Sequence, residues 1–323
     1  MSLRIFIGAT FPDDASSLLR EGLAGRDVVV GSAPTRSNLV SGIDDQAMDD
    51  ADICFGQPAI ESFERARRLK WVHLTSAGYT RYASHEVTSA LRTRGIALTT
   101  SSTVYAEPCA THALALILSM CRRLPQCDAN QQGERAWPSD AVRRASRVLS
   151  EQRVAVLGFG AIGRRLAELL WALGARVVVV REHPRGDEPV ETVTWPVLMP
   201  RLGEIDIVVN TLPEASSTRG IVDARFFASL RSGALFVNVG RGTTVDQDAL
   251  LRALQDGTLE GAALDVTDPE PLPPEHPLWR TPGCIVTPHS AGGRATEFKA
   301  LVRHFLENLA RFERGDALGD RVI

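Results

Sequence analysis

The chain has 323 residues, of which 44% are hydrophobic, and a formal net charge of -3 at pH 7. This length exceeds what a single hydrophobic core usually serves, so we expect two domains. The slightly negative charge argues against nucleic acid or an anionic membrane surface as the main partner.

Nothing in the sequence indicates export or membrane insertion. No continuous run of about eighteen apolar residues is present, so we expect no transmembrane helix. The N-terminus reads directly into a strand without a charged segment and an apolar segment before it, which argues against secretion. Five scattered cysteines without a C-x-x-C pair are typical of free thiols in the cytoplasm, where we expect this protein, and they predict no metal site.

Residues 1–100 alternate short apolar runs with helical stretches. We predict helices at 12–23 and 58–68, and strands at 4–8, 28–30, 52–55, 69–74 and 96–100. Strands that alternate with helices predict a parallel sheet with both faces covered. This part of the chain contains no G-x-G-x-x-G, so we expect a doubly wound, flavodoxin-like domain without a phosphate-binding turn.

A nearly all-apolar helix is predicted at 107–124, and such a helix is expected to be buried all round. The following polar stretch, 125–147, contains a lone Trp137 and is predicted to be an irregular arm that reaches over a partner chain. Together they suggest a homodimer.

Three glycines with G-x-G-x-x-G spacing, Gly158, Gly160 and Gly163, follow the apolar run 154–157 and precede a helical stretch. In this context the first glycine allows a tight turn, the second lets the backbone approach a pyrophosphate, and the third lets helix and strand pack closely. Free N–H groups at the helix start then meet the phosphate charge. The stretch therefore predicts a dinucleotide-binding site.

Further strands are predicted at 176–180, 205–210, 234–239, 261–266 and 284–287. A final helix, 295–313, is expected to return to the first domain. The sequence thus predicts an α/β protein with two doubly wound parallel-sheet domains. A Rossmann nucleotide domain, 101–290, is inserted into a substrate domain of residues 1–100 plus 291–323, and the two are expected to meet in a cleft.

Three ionisable residues follow strands of the nucleotide domain, where ligands bind in parallel sheets. Arg241 can hold a carboxylate through two hydrogen bonds. His289 can move the proton that accompanies a hydride, and Glu270 can hold its imidazole and favour the charged form. Each has an ordinary alternative, namely a solvated arginine, a surface glutamate or a core histidine. Their combination with a dinucleotide site predicts catalysis.

Over essentially its whole length, the sequence resembles the D-isomer-specific 2-hydroxyacid dehydrogenases. The matching motifs occur in the family's order and are Leu69-Lys70-Trp71-Val72, Ser76-Ala77-Gly78, the glycine turn 158–163, Leu212-Pro213, Thr218-Arg219-Gly220, Asn238-Val239-Gly240-Arg241-Gly242, Ala263-Leu264-Asp265-Val266, Glu270-Pro271 and Thr287-Pro288-His289.

The resemblance implies Arg241 as the substrate-carboxylate ligand, His289 as the general acid/base and Glu270 as its partner. It implies that the backbone of Ser76, Ala77 and Gly78 helps to hold the carboxylate, and that Asp265 contacts the nicotinamide amide. The cofactor-binding positions expected on the same basis are Gly158, Gly160, Ala161, Ile162, Gly163, Arg181, Pro213, Thr218, Val239, Asp265 and Gly292. Phe55, Tyr79 and Trp279 are candidates for substrate specificity.

Two positions depart from the family pattern. Arg181 stands where an acidic residue would bind the ribose of NAD, so we favour NADP(H), with NAD(H) as the alternative in which Glu182 takes the ribose. His183 and Arg185 add positive groups nearby. Thr111 replaces a glutamate of many relatives, and the adjacent His112 is interpreted as a helix-packing residue.

The resemblance implies a reductase of small 2-keto acids of the glyoxylate/hydroxypyruvate type, which forms D-2-hydroxy acids. The alternatives are a phosphoglycerate dehydrogenase-like or another NAD-linked 2-hydroxyacid oxidation, and a phosphite oxidiser. A formate dehydrogenase would lack Glu270. A nucleotide-sensing corepressor built on the same fold is the alternative without catalysis.

Overall fold

The computed structural model describes residues 3–35, 40 and 42–323. The chain forms two compact units. The first comprises Met1–Tyr105 and Arg294–Ile323, and the second comprises Ala106–Gly293.

The first unit alternates strands and helices along its N-terminal part. In chain order its elements are β1 (Arg4–Ala9), α1 (Asp13–Gly22), β2 (Asp27–Thr35), β3 (Ile53–Phe55), α2 (Glu61–Arg65), β4 (Trp71–His73), α3 (His85–Thr93) and β5 (Ala97–Thr99). The strands form one parallel sheet in the order β2-β1-β3-β4-β5. This is the flavodoxin-like order, as predicted.

Helix α4 (Ser102–Cys121) begins in the first unit and continues into the second. By length and composition it is apolar enough to cross a membrane, yet half of its apolar stretch is buried in the protein, as in a core helix. The expectation that it is buried all round is wrong. Thr111, Ala115 and Leu118 are exposed at helical spacing, so one face points outwards.

The prediction that the stretch 125–147 is irregular is wrong. It contains α5 (Leu124–Gln132) and α6 (Ser139–Ala145), with the almost fully exposed Trp137 between them (94% exposed). Neither helix contains a buried residue, so the apolar periodicity that would have indicated them is missing.

The second unit contains seven strands. In chain order its elements are β6 (Arg153–Leu157), α7 (Ala161–Ala172), β7 (Arg176–Val180), β8 (Glu191–Val193), α8 (Trp195–Leu198), β9 (Ile207–Asn210), α9 (Ala224–Ser229), β10 (Ala234–Asn238), α10 (Gln247–Gln255), β11 (Leu259–Leu264) and β12 (Cys284–Val286). All pairings are parallel, in the order β12-β11-β10-β9-β6-β7-β8. The chain moves outwards in both directions from β6 and β9, which makes this a doubly wound Rossmann sheet. The predicted fold class is confirmed.

The buried strands explain why the sheet forms. Residues 154–157, 177–180, 207–210 and 234–238 are all buried, as expected for central parallel strands covered on both faces. Short β8 at the edge was missed because its three residues, Glu191–Val193, are at most partly buried.

Helix α11 (Glu297–Arg314) is the last helix of the first unit. Its buried face, which includes Val302, Phe305 and Leu309, packs in one core with residues of β1, β3 and α1. Phe305 stacks on Phe55 with ring centroids 4.2 Å apart. The predicted return of the last helix to the first unit is therefore present.

Candidate active site

The glycine turn connects β6 to α7 in the second unit. Gly158 has a φ of 101°, a region that favours glycine, and its N–H donates to the carbonyl of Val180. A Cβ on Gly163 would collide with the carbonyl oxygen of Gly158, whereas a Cβ on Gly160 would meet no protein atom within 4 Å. Gly163 therefore serves helix–strand packing, and Gly160 leaves open space.

This open space fits the pyrophosphate of a dinucleotide. As at every helix start, the N–H groups of Ala161, Ile162 and Gly163 have no intrahelical acceptor. They lie beside the open space at Gly160, and the positive end of the α7 dipole favours an anion there.

Arg181 follows β7 and is already paired. Its Nη1 donates to Oε1 of Glu188 at 3.0 Å, and the Glu188 side chain is only 5% exposed. The N–H groups of Arg185 and Gly186 also donate to Glu188 and hold the pKa of its carboxyl below the usual value. The guanidinium carbon of Arg181 lies 6.0 Å from the ring centre of Phe159 in the glycine turn. Sequence reasoning missed Glu188.

Two further cofactor candidates lie in ordered positions after neighbouring strands. The Thr218 hydroxyl donates to the carbonyl of Pro213 at 2.7 Å and closes the loop after β9. The N–H of Val239 donates to the carbonyl of Asn210, so the end of β10 is tied to the end of β9.

Arg241 follows β10, and hydrogen bonds with nearby residues of the same loop fix its position. Its carbonyl accepts hydrogen bonds from the Thr244 hydroxyl and the Asn238 amide, and its Nη1 donates to the carbonyl of Gly240 at 2.7 Å. The positive charge of Arg241 is also one of the influences that lower the pKa of Glu270, so the two side chains share one electrostatic environment.

His289 and Glu270 form a close pair. Nδ1 of His289 lies 2.5 Å from Oε1 of Glu270. Burial raises the pKa of Glu270, but the hydrogen bond with His289 and the imidazole charge outweigh it, so the pKa lies below its usual value of 4.5. Glu270 is thus ionised at neutral pH, and the Nε2 atom of His289 remains for proton exchange with a ligand.

Asp265, at the end of β11, organises the loop that carries His289. Its carboxylate accepts the N–H groups of Ser290 and Ala291, at 2.9 and 3.0 Å, and its backbone carbonyl accepts the N–H of His289 at 2.8 Å. His289 has a φ of 50°, an uncommon region for a residue with a side chain. Gly292 lies in the turn that follows.

His112 makes a long-range polar contact in addition to packing its helix, and the sequence did not indicate this contact. Its Nε2 lies 3.1 Å from the Thr287 hydroxyl, and that hydroxyl donates to Oδ1 of Asp265 at 2.6 Å. Since His112 and Thr287 lie 175 positions apart, no local pattern could have revealed this contact.

The carbonyl groups of Ser76, Ala77 and Gly78 in the first unit are all engaged. They accept, in order, the N–H of Ser101, the Ser102 hydroxyl and the Ser76 hydroxyl. Within the part of the chain that the structure describes, the N–H groups of the same three residues donate no hydrogen bond. Three successive N–H groups without an acceptor in the described part of the chain are available to bind a carboxylate.

Buried Gln57 supports this loop, and sequence reasoning missed it. Its Nε2 donates to the hydroxyls of Ser76 and Thr75 at 2.8 and 3.2 Å. Of the specificity candidates, Phe55 is fully buried within the first core, so its expected contact with substrate is wrong. Tyr79 is partly buried, and Trp279, in the second unit, is 47% exposed.

Among the described residues, no group of three or more His, Cys, Asp or Glu side chains is arranged to hold a metal ion.

Comparison with known proteins decides the family. The model of the D-isomer specific 2-hydroxyacid dehydrogenase family, NAD binding domain, matches residues 114–291, more than half of the chain. The chain belongs to this family. The match covers α7, the glycine turn and all three proposed catalytic residues of this 2-hydroxyacid dehydrogenase.

Similar proteins extend the likeness over most of the dehydrogenase chain. A glyoxylate reductase/hydroxypyruvate reductase of Mus musculus is 31% identical over 77% of this chain and 76% of its own. A D-isomer specific 2-hydroxyacid dehydrogenase of Xanthobacter autotrophicus, solved with NADPH and MES, is 29% identical with a TM-score of 0.82 over 100% of this chain and 98% of its own. An NADPH-dependent glyoxylate/hydroxypyruvate reductase of Sinorhizobium meliloti, solved with NADP and sulfate, is 28% identical. Its TM-score is 0.78 over 99% of this chain and 98% of its own.

Proposed function

We propose that this dehydrogenase reduces small 2-keto acids of the glyoxylate/hydroxypyruvate type to D-2-hydroxy acids, with NADPH as the hydride donor. The observation that carries the proposal is the His289–Glu270 pair, located after strands of the sheet that also carries the glycine turn, with the charge of Arg241 lowering the pKa of Glu270. The names of the Mus musculus and Sinorhizobium meliloti relatives support the substrate class.

Each residue of the proposed site has a separate role in the reaction. Arg241 binds the substrate carboxylate through two N–H groups, and the N–H groups of Ser76, Ala77 and Gly78 bind it as well. NADPH, when bound, supplies the hydride for the keto carbon. His289 donates the Nε2 proton to the keto oxygen, and Glu270 holds Nδ1 so that the imidazole keeps one orientation through the transfer.

The second unit is proposed to bind the cofactor, and the first to supply the substrate-carboxylate loop. The cofactor contacts proposed for Pro213, Thr218, Val239, Asp265 and Gly292 follow from their places after the strands. Arg181 is proposed to pair with the 2′-phosphate of NADP, which favours NADP(H) over NAD(H). Its pairing with Glu188 means that the two anions compete for one guanidinium.

A homodimer is proposed through the arm 125–147 and the two residues that flank it, Leu124 and Val148. Trp137 is exposed there together with Leu124 and Val148, which are 55% and 49% exposed. Replacing Trp137 by Glu is expected to halve the mass measured by light scattering. The cytoplasm is the proposed location, since none of the five cysteines, all within the described residues, forms a disulfide. Neither nucleic acid nor a membrane is a proposed partner of a chain with a net charge of -3.

The experiment that tests this function is an initial-rate panel. Purified protein is given glyoxylate, hydroxypyruvate, pyruvate and larger 2-keto acids, with NADPH and with NADH, and the absorbance of the reduced cofactor is followed. We expect the highest kcat/KM with a two- or three-carbon 2-keto acid and NADPH. No turnover of any acid would overturn the proposal and favour a nucleotide-sensing protein.

A further inference from the structure

His112 lies on α4 and reaches the loop of His289 without touching His289. Its Nε2 lies 3.1 Å from Oγ1 of Thr287, and its side chain is 25% exposed. Nε2 lies 3.6 Å from Oδ1 of Asp265, beyond hydrogen-bond distance. The hydrogen-bonded connection from His112 to Asp265 therefore runs through the Thr287 hydroxyl, while Nε2 and Oδ1 also lie within ion-pair distance.

The hydrogen positions follow from chemistry. An ionised carboxylate only accepts, so the Thr287 hydroxyl gives its one hydrogen to Asp265, at 2.6 Å. Oγ1 of Thr287 then accepts, and Nε2 of His112 must be the nitrogen that carries a proton. The three side chains form a directed chain from His112 through Thr287 to Asp265, which we call the relay.

The Asp265 carboxylate in turn holds the backbone of the loop that follows His289. Oδ1 of Asp265 accepts from Thr287 and from the N–H of Ser290, and Oδ2 accepts the N–H of Ala291. The two backbone bonds lie directly after His289, whose φ of 50° is maintained only by its surroundings. A rotation of the Asp265 carboxylate would release this loop.

We propose that His112 is a positioning residue of the reaction. Through Thr287 it fixes the Asp265 carboxylate, and through Asp265 it fixes the backbone that presents His289. The inference rests on the proposed function in that His289 transfers the proton and Asp265 lies at the nicotinamide. It assigns to α4 a part in the site that exceeds packing.

The test uses variants that separate the Nε2–H donor from the bulk of the side chain. His112→Leu removes the donor, and His112→Gln places an amide N–H near the original Nε2 position. Thr287→Val removes the connecting hydroxyl at nearly constant volume. Thr111→Val, which removes an α4 hydroxyl that donates to the Glu107 carbonyl, is the matched control.

Three quantities are measured for each purified variant: kcat and KM with the best 2-keto acid, the Kd of NADPH from its fluorescence without substrate, and the melting temperature. We expect His112→Leu to lower kcat about tenfold, the cost of one partly buried hydrogen bond, and to raise the Kd of NADPH. His112→Gln restores both quantities, and Thr111→Val leaves them unchanged. Because the relay is one chain, His112→Leu combined with Thr287→Val is no worse than Thr287→Val alone.

A kcat and Kd of His112→Leu equal to those of the wild type would overturn the proposal. So would additive losses in the double variant, or a loss that tracks only the melting temperature and that His112→Gln fails to restore. Failure of the proposed function is distinguishable, because the wild type would then turn over no 2-keto acid. The Kd of NADPH would still decide the relay, since its rise in His112→Leu and recovery in His112→Gln need no substrate.

Discussion

Nδ1 of His289 lies 2.5 Å from Oε1 of Glu270, and this contact fixes which imidazole nitrogen is left for the substrate. A carboxylate at Nδ1 holds the imidazole ring in one orientation. The pKa of Glu270 lies below its usual value because the hydrogen bond and charge of His289 outweigh burial. Glu270 is therefore ionised at neutral pH, and Nε2 of His289 is left to exchange a proton with a ketone oxygen.

Removing the proton donor tests this role. His289→Ala should lower kcat by about 10²–10⁴-fold, the usual contribution of a general acid. Glu270→Gln keeps the shape but removes the charge, and a smaller loss is expected because His289 remains. The melting temperature should change little in both variants. A histidine variant with the kcat of the wild type would rule out the assigned proton transfer.

Substitutions of the second and third glycines of the turn, Gly160 and Gly163, should affect different properties, namely cofactor binding and stability. A Cβ at Gly163 meets the Gly158 carbonyl, so Gly163→Ala should lower the free energy of unfolding by about 1–3 kcal/mol even without ligand. A Cβ at Gly160 meets no protein atom within 4 Å, so Gly160→Ala should fold normally but bind NADPH more weakly. Thermal unfolding and NADPH fluorescence separate the two. Equal effects on both quantities in both variants would mean that Gly160 does not border the pyrophosphate.

Cofactor preference depends on the competition at Arg181. Arg181→Gln should lower kcat/KM for NADPH by about tenfold, the loss of one charge-assisted hydrogen bond, and leave NADH unchanged. Glu188→Gln removes the competing anion, so the Kd of NADPH should fall. Arg185→Gln should lower kcat/KM for NADPH less than Arg181→Gln does, since Arg185 contacts Glu188 through its backbone N–H, which the substitution keeps. A preference of the wild type for NADH would contradict the assignment to NADP.

A partly buried, hydrogen-bonded carboxylate in the first unit predicts a pH dependence of stability. Asp320 accepts Nε2 of His304 at 3.2 Å and both the N–H and the hydroxyl of Thr103 at 2.8 Å. Burial raises the pKa of Asp320, but these bonds outweigh it and leave the pKa below its usual value of 3.8. A carboxyl with a lowered native pKa stabilises the fold above its unfolded pKa, and this stability is lost as pH falls through the native value.

Asp320→Asn should therefore cost about 2 kcal/mol at neutral pH, and the difference from the wild type should vanish in acid. Asparagine also tolerates the φ of 54° at this position, so the backbone is not strained. Asp316→Asn, which breaks an exposed pair with Arg314, is the control and should cost less than about 1 kcal/mol. Urea unfolding across pH measures both variants. A deficit of Asp320→Asn that is constant with pH would contradict the ionic account.

The sequence indicated the features that depend on local pattern. Buried strands such as 176–180 were recognisable as apolar runs, and the glycine turn was recognisable by spacing and context. Both parallel sheets followed from the alternation of strands and helices. The positions of Arg241, Glu270 and His289 after strands followed as well, because parallel strands end at the same edge. Their roles remain predictions.

The remaining features depend on contacts that no local pattern encodes. Glu188 lies seven positions after Arg181, and only the path of the loop brings them together. His112 reaches Thr287 from a different helix. Helices α5 and α6 bury no residue in this chain, so their sequences lack the apolar stripe by which a helix is recognised. The burial of Phe55 depends on α11, which lies more than two hundred positions away in the sequence.

The configuration of the product shows whether this dehydrogenase forms D-2-hydroxy acids through His289. Hydroxypyruvate is reduced to completion with NADPH, and the glycerate formed is resolved on a chiral column against both standards. We expect D-glycerate in a one-to-one ratio to the NADPH consumed, and its loss in His289→Ala. L-glycerate, a racemate or NADPH consumption without glycerate would contradict this expectation.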